Sequence, residues 1–210
     1  EMVAAIREQT PDKRENTHAG WFAVQQLSRM GEKAKPAIPA LVKILLDKKE
    51  QRTATFAAWA LGAIGPEAKE AVPALMKAAD IKYENCGKTW KGWFIHGFIA
   101  GALGKIGPDA AESAPTLVKI LNGRCLRSQP AAAWALSRMG EKVGPAEAAL
   151  LNKLHDPYCG YHAARALANI GEPAVPGLTK SLAAGDYRAA DALREMGEKV
   201  AELQRKTREA

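Results

Sequence analysis

The sequence has no apolar run long enough to cross a bilayer. Its longest, Trp93 to Ile106, carries His96, Lys105 and three glycines and falls short of the ~20 residues that a spanning helix needs. No membrane insertion is therefore expected. Cysteine is scarce. Cys86, Cys125 and Cys159 cannot close a disulfide framework, because at most one pair can bridge. β-branched residues are sparse beside alanine, which disfavours strands and favours helix. There is no glycine-rich phosphate loop, no His-Glu-x-x-His and no Gly-x-Ser-x-Gly, so the usual enzyme constellations are missing. Glu67, Glu70, Asp109 and Glu112 stand in turn segments, where a carboxylate favours a helix N-terminus. The chain reads as a non-enzyme, and no cofactor is expected.

What is present is a repeat. Six segments share one pattern: Ala23 to Gly31, Ala57 to Gly65, Ile99 to Gly107, Ala132 to Gly140, Ala163 to Gly171 and Ala189 to Gly197. Four residues before each glycine stands a leucine: Leu27, Leu61, Leu103, Leu136, Leu167, Leu193. One residue before it stands Met30, Ile64, Ile106, Met139, Ile170 or Met196. These offsets share one helical face. The glycine suits a left-handed C′ position that ends a first helix. A turn such as Gly65-Pro-Glu-Ala follows. Pro39, Pro73 and Pro115, eight residues after the glycine, open a second helix. Leu41, Leu75, Leu117 and Leu150 then mark its buried side. The fifth copy is three residues shorter, with Pro176 and Leu178 in these roles.

The spacing predicts first helices near 19–30, 53–64, 93–106, 129–139, 160–170 and 186–196. Second helices are predicted near 38–48, 72–82, 114–123, 145–155, 175–183 and 198–208. Residues 1–18 read as an N-terminal partial repeat or cap followed by a polar loop. The array runs over 19–210, with an insertion at about 82–91 and a C-terminal cap helix at about 198–208. The expected fold is all-α: a right-handed α-solenoid of about six two-helix repeats. The chain begins with Glu1, which fits a processed exported protein or a trimmed chain equally well.

The Ala-Ala-x-Ala-Leu-x-x-Ile/Met-Gly core, the Gly-Pro-Glu/Asp-Ala turn and the Ala-x-Pro-Ala-Leu second-helix start resemble the HEAT-repeat superfamily, in particular its short bacterial branch of the phycobilisome-lyase type. The resemblance covers about residues 19 to 200. It implies a solenoid whose second helices line the concave face. Its members include scaffolds, enzyme-associated subunits, tetrapyrrole lyases and DNA glycosylases, so it implies several roles.

Three features stand out as candidate sites. Twelve residues after the repeat glycine come Lys43, Lys77 and Lys119, with Lys180 equivalent in the shortened copy. The fourth copy has Asn152 there, with Lys153 beside it. Successive helices pack ~8–10 Å apart, so these lysines form a ladder. Tyr83, Trp90 and Trp93 in and after the insertion are interleaved with lysines and read as a docking protrusion. Trp59 and Trp134 share one repeat position and suggest an aromatic stripe or packing on a neighbouring turn. His155, Cys159 and His162 form a weak metal candidate whose spacing matches no standard zinc site. The cysteines are expected as free thiols, a Cys86–Cys125 bridge being possible only if the insertion folds over.

The net charge is +7 with a pI near 9.3, which permits an acidic protein, nucleic acid or an anionic membrane surface as partner. The leading expectation is a non-catalytic protein–protein interaction scaffold or assembly subunit, whose partner is an acidic protein or a large complex. Open ends allow head-to-tail self-association. A second reading takes nucleic acid along the lysine ladder. A third, from the resemblance alone, is a tetrapyrrole lyase or chaperone.

Overall fold

A computed structural model describes residues 16–47, 51–81 and 95–209 of the chain. No strand occurs among them. Eleven α-helices follow in order: α1 (Asn16–Met30), α2 (Ile38–Leu45), α3 (Gln51–Ile64), α4 (Val72–Ala79), α5 (Ile95–Ile106), α6 (Ala114–Leu121), α7 (Gln129–Ser137), α8 (Glu147–Leu151), α9 (Gly160–Ile170), α10 (Val175–Ala183) and α11 (Tyr187–Glu209). Odd-numbered helices stack on one another as one layer. Each even-numbered helix packs on the odd-numbered helix that follows it in the chain. The result is an α-solenoid of five helix pairs closed by one long helix. The partial repeat expected before residue 16 and the whole of the 82–91 insertion lie outside the described residues.

The leucine of the motif is the buried anchor: Leu27, Leu61, Leu103, Leu136 and Leu167 are all but inaccessible. Ile64, Ile106, Met139 and Ile170 are buried beside them, as are Leu41, Leu75, Leu117, Leu150 and Leu178 on the second helices. Towards the ends the same positions open: Met30 is exposed, and Leu193 and Met196 are only partly covered. A repeat buries its apolar seam only against its neighbours.

The motif glycines Gly31, Gly65, Gly107, Gly140 and Gly171 all have positive φ, between 50° and 80°. At Gly171 the ψ of −144° departs from the left-handed helical well expected there, in a region that a Cβ excludes. The turn expected after the glycine is a seven-residue 3-10 helix in four copies (Gly31–Ala37, Gly65–Ala71, Gly107–Ser113, Gly140–Ala146). The shortened fifth copy keeps only Glu172–Ala174. Three residues after each glycine, Ala34, Ala68, Ala110, Val143 and Ala174 are buried, and the first four of these 3-10 segments stack on one another.

The sixth copy departs from the pattern. Gly197 has no positive φ and lies inside the continuous helix α11, so no separate cap helix begins at 198. Two features explain this. No proline follows Gly197 to start a new helix. The pairs Arg194–Glu198 (3.3 Å) and Glu195–Lys199 (2.9 Å) span the glycine at i,i+4, an arrangement that supports helix.

The residue after the motif leucine sets how close neighbouring first helices come. A Cβ on Gly62 would lie 2.8 Å from Ala102 Cα, and one on Gly104 would lie 2.8 Å from Ala135 Cα and 2.6 Å from the Trp134 ring. The same position holds buried Ser137 and Ala168. Polar ties reinforce the stack: Asn169 donates to the Ser137 carbonyl at 2.7 Å and accepts from Lys199 Nζ.

This geometry separates two glycines of α5. A Cβ on Gly101 meets nothing within 4 Å, so Gly101→Ala is expected to stabilise by about 0.5–1 kcal/mol through helix propensity. Gly104→Ala is expected to destabilise by roughly 1–3 kcal/mol through overpacking. Urea unfolding of both variants checks the difference in sign.

Candidate functional site

The lysine ladder is present on the second-helix layer. Lys43, Lys77 and Lys119 sit in the last turns of α2, α4 and α6, and Lys180 on α10; all four are exposed. Lys119 Nζ lies 3.3 Å from Asp80 Oδ1 and so links α4 to α6. Both groups are well exposed, which limits such a pair to less than ~1 kcal/mol. Lys43, Lys77 and Lys180 have no carboxylate partner among the described residues. Lys153 is placed differently. It follows α8, is half-buried, and donates to Gln129 Oε1 at 2.8 Å, while Gln129 Nε2 donates to the Gly123 carbonyl. Its ammonium therefore braces the loop before α7.

Immediately before the ladder positions stand Val42, Met76, Val118 and Leu151, partly buried hydrophobics that pack on the core while keeping one side open. The face is thus a lysine row beside an apolar row. The second row was legible in the sequence, eleven residues after each of the first four motif glycines, but alternation with core positions masks it. A cavity of about 470 Å³ opens beside Lys119, bounded by Asp80, His96, Arg124, Cys125 and Ser128. His96 Nε2 meets the Ala79 carbonyl at 3.1 Å there, and Ser128 Oγ donates to Cys125 Sγ at 3.2 Å.

The aromatic candidates divide. Tyr83, Trp90 and Trp93 lie outside the described residues. Trp59 stacks on Phe56 (centroids 6.2 Å apart) and meets Phe98 of the next first helix at 5.8 Å. Trp134 covers Gly104, with Arg138 5.9 Å over its ring. Both tryptophans therefore pack on a neighbouring helix.

His155, Cys159 and His162 do not converge, and no group of three or more His, Cys, Asp or Glu side chains gathers as a metal site among the described residues. Asp156 organises this loop instead: its Oδ1 accepts from the backbone N–H of Tyr158 and of Cys159, both at 2.8 Å. Burial works against the Asp156 charge, but these N–H donors and Lys153 outweigh it and hold the carboxyl below its ordinary value. Cys159 is buried, and burial together with the Asp156 charge pushes its thiol up to about 11. His155 is exposed and lies 3.5 Å from the buried Asp186. Burial, then the Arg165 charge, lower the His162 pKa, and its Nδ1 has no hydrogen-bond partner. Cys125 and Cys159 are free thiols; Cys86 lies outside the described residues.

Residues 55–80, which span α3 and α4, match the model of the PBS lyase HEAT-like repeat. The structure is similar to a designed armadillo repeat protein in complex with the peptide (KR)4, with a TM-score of 0.64 and 21% identity over 93% of this chain and 98% of that one. One stretch of the chain is thus similar to a HEAT-like repeat, and the fold as a whole is similar to that of designed armadillo repeat solenoids. An engineered protein matches with a TM-score of 0.62 and 22% identity over 96% of each chain. A second designed armadillo repeat protein matches with a TM-score of 0.60 and 20% identity over 93% and 98%. No curated protein sequence matches significantly. At these identities the likeness carries the fold of the solenoid. No helix among the described residues is long and apolar enough to cross a membrane.

Two outcomes follow from the Asp156 loop. At pH 8 the Cys159 thiol is almost wholly protonated and covered, so iodoacetamide is expected to label Cys125 well before Cys159, as read by peptide mass spectrometry. His162 has a folded pKa below its unfolded one, so its contribution is complete above the ordinary histidine range and is lost as pH falls through the lowered value. Unfolding titrations from pH 7 to pH 5 are expected to show a smaller loss of stability in His162→Leu than in the unaltered solenoid.

Proposed function

We propose that this solenoid is a non-catalytic scaffold that holds an extended, acidic segment of another protein along its second-helix layer. The observation that carries this reading is the paired stripe on the three successive second helices α2, α4 and α6. Exposed Lys43, Lys77 and Lys119 stand at one register, and partly buried Val42, Met76 and Val118 stand beside them. Such a face offers apolar contact along its length and charge for steering and register. Each repeat adds one equivalent position to the row.

The similar designed armadillo protein holds a peptide of alternating lysine and arginine. A surface lined with lysine favours a partner of the opposite sign. Asp80 beside Lys119, and the uncharged Asn152 in the fourth copy, interrupt the positive row. A continuous phosphate backbone fits that interruption poorly, whereas a peptide of mixed side chains accommodates it. This favours protein over nucleic acid.

The test is a titration of octaglutamate at low ionic strength, followed by the amide shifts that it causes on α2, α4, α6 and α10 of the isotope-labelled chain. The Lys43→Glu/Lys77→Glu/Lys180→Glu variant is expected to bind at least tenfold more weakly at these helices, with helical content unchanged by circular dichroism. Equal binding by the variant would remove the ladder from the function.

A further inference from the structure

A second surface lies on the other layer, between α9 and α11. Ten residues before the motif glycine, in the first turn of each helix, stand Tyr161 and Tyr187. Both side chains remain 64% exposed. Four earlier copies hold Trp21, Thr55, Gly97 and Pro130 at this position, so the tyrosine pair belongs to the C-terminal end. Between the helices is a cleft of about 510 Å³, floored by Ala164 and Ala192 and walled by Tyr161, Arg165, Tyr187 and Arg188.

The charges of this cleft are unequal. Its far wall carries three carboxylates, and each already has a cation. Arg194 takes Asp191 and Glu198, both at 3.3 Å, and Lys199 takes Glu195 at 2.9 Å. Arg165 and Arg188 have no carboxylate partner among the described residues. Arg188 Nη1 donates to the Leu154 carbonyl at 2.7 Å, and its guanidinium lies 4.9 Å over the Tyr187 ring. Arg165 lies 6.0 Å over the Tyr161 ring. Two ring-backed guanidiniums thus keep donors available for an anion.

We propose that the α9–α11 cleft is a second docking surface, which takes a carboxylate-bearing segment of a partner protein between Tyr161–Arg165 and Tyr187–Arg188. Tyrosine and arginine are the residue types that concentrate binding energy in protein interfaces. A guanidinium held on an aromatic face is pre-organised to grip a planar carboxylate bidentately. The choice of protein over nucleic acid rests on the far wall. A phosphate backbone running along α11 would pass Asp191, Glu195 and Glu198, whereas one or two side-chain carboxylates need only reach the two arginines. This surface is independent of the lysine ladder, being on the opposite helix layer.

The experiment is amide shift mapping of the isotope-labelled full chain, titrated at low ionic strength with octaglutamate and, separately, with an eight-nucleotide oligothymidylate. Octaglutamate is expected to shift amides in the first turns of α9 and α11. The Tyr161→Ala/Arg165→Gln/Tyr187→Ala variant is expected to weaken that response at least tenfold. Its melting temperature should stay close to that of the unaltered chain, since all three side chains reach solvent. The Lys43→Glu/Lys77→Glu/Lys180→Glu variant should leave the response intact, which separates failure here from failure of the ladder. Shifts confined to α2, α4, α6 and α10 would overturn the proposal. So would an undiminished response in the tyrosine–arginine variant, or tighter binding of the oligothymidylate at this cleft.

Discussion

The close approach of neighbouring first helices is the constraint on which the other features depend. Gly62 against Ala102 and Gly104 against Ala135 leave no room for a methyl group between backbones. That spacing lets Leu61, Leu103 and Leu136 lie fully inside a continuous seam. It also brings Trp59 and Trp134 down onto the neighbouring helix, where they act as packing surfaces. The seam is built from local steps only, so its energy accrues repeat by repeat.

The same position differs in the last helix described, α11. After the motif leucine the internal copies place Gly62, Gly104, Ser137 and Ala168, whereas the last copy places Arg194. Arg194 is 68% exposed and paired along its own helix with Asp191 and Glu198. A guanidinium there replaces the small residue that admits a neighbouring first helix in the internal copies. The pairs that span Gly197 then carry α11 on as one helix, and no turn or second helper helix is required at this end.

Both candidate surfaces arise from what the seam leaves over. The even-numbered helices turn their leucines inward and leave a row of lysines beside half-covered Val42, Met76 and Val118. On the odd-numbered layer, the first turns of α9 and α11 leave Tyr161 and Tyr187 exposed. In each case the charge that matters is the charge without a local partner. Lys119 is tied to Asp80, Lys153 to Gln129 and Arg194 to two carboxylates, whereas Lys43, Lys77, Lys180, Arg165 and Arg188 face solvent or a ring without a carboxylate among the described residues.

The sequence by itself determined the repeat, the helix order and the buried face. Leucine, isoleucine or methionine, glycine and proline at fixed offsets encode one supersecondary unit, and each of those roles is local to a few turns of chain. The lysine row was legible for the same reason, because one register repeated on stacked helices must form a line. The tertiary structure alone decided the rest. Which small residue permits a close approach depends on the partner helix, so Gly104 and Gly101, alike in the sequence, differ in what their neighbours allow. Whether His155, Cys159 and His162 meet depends on side-chain direction, and Asp156 turns the loop so that they do not. The pairing of charges across repeats, which separates occupied cations from available ones, exists only when residues more than thirty apart in sequence, such as Lys119 and Asp80, are brought together by stacking.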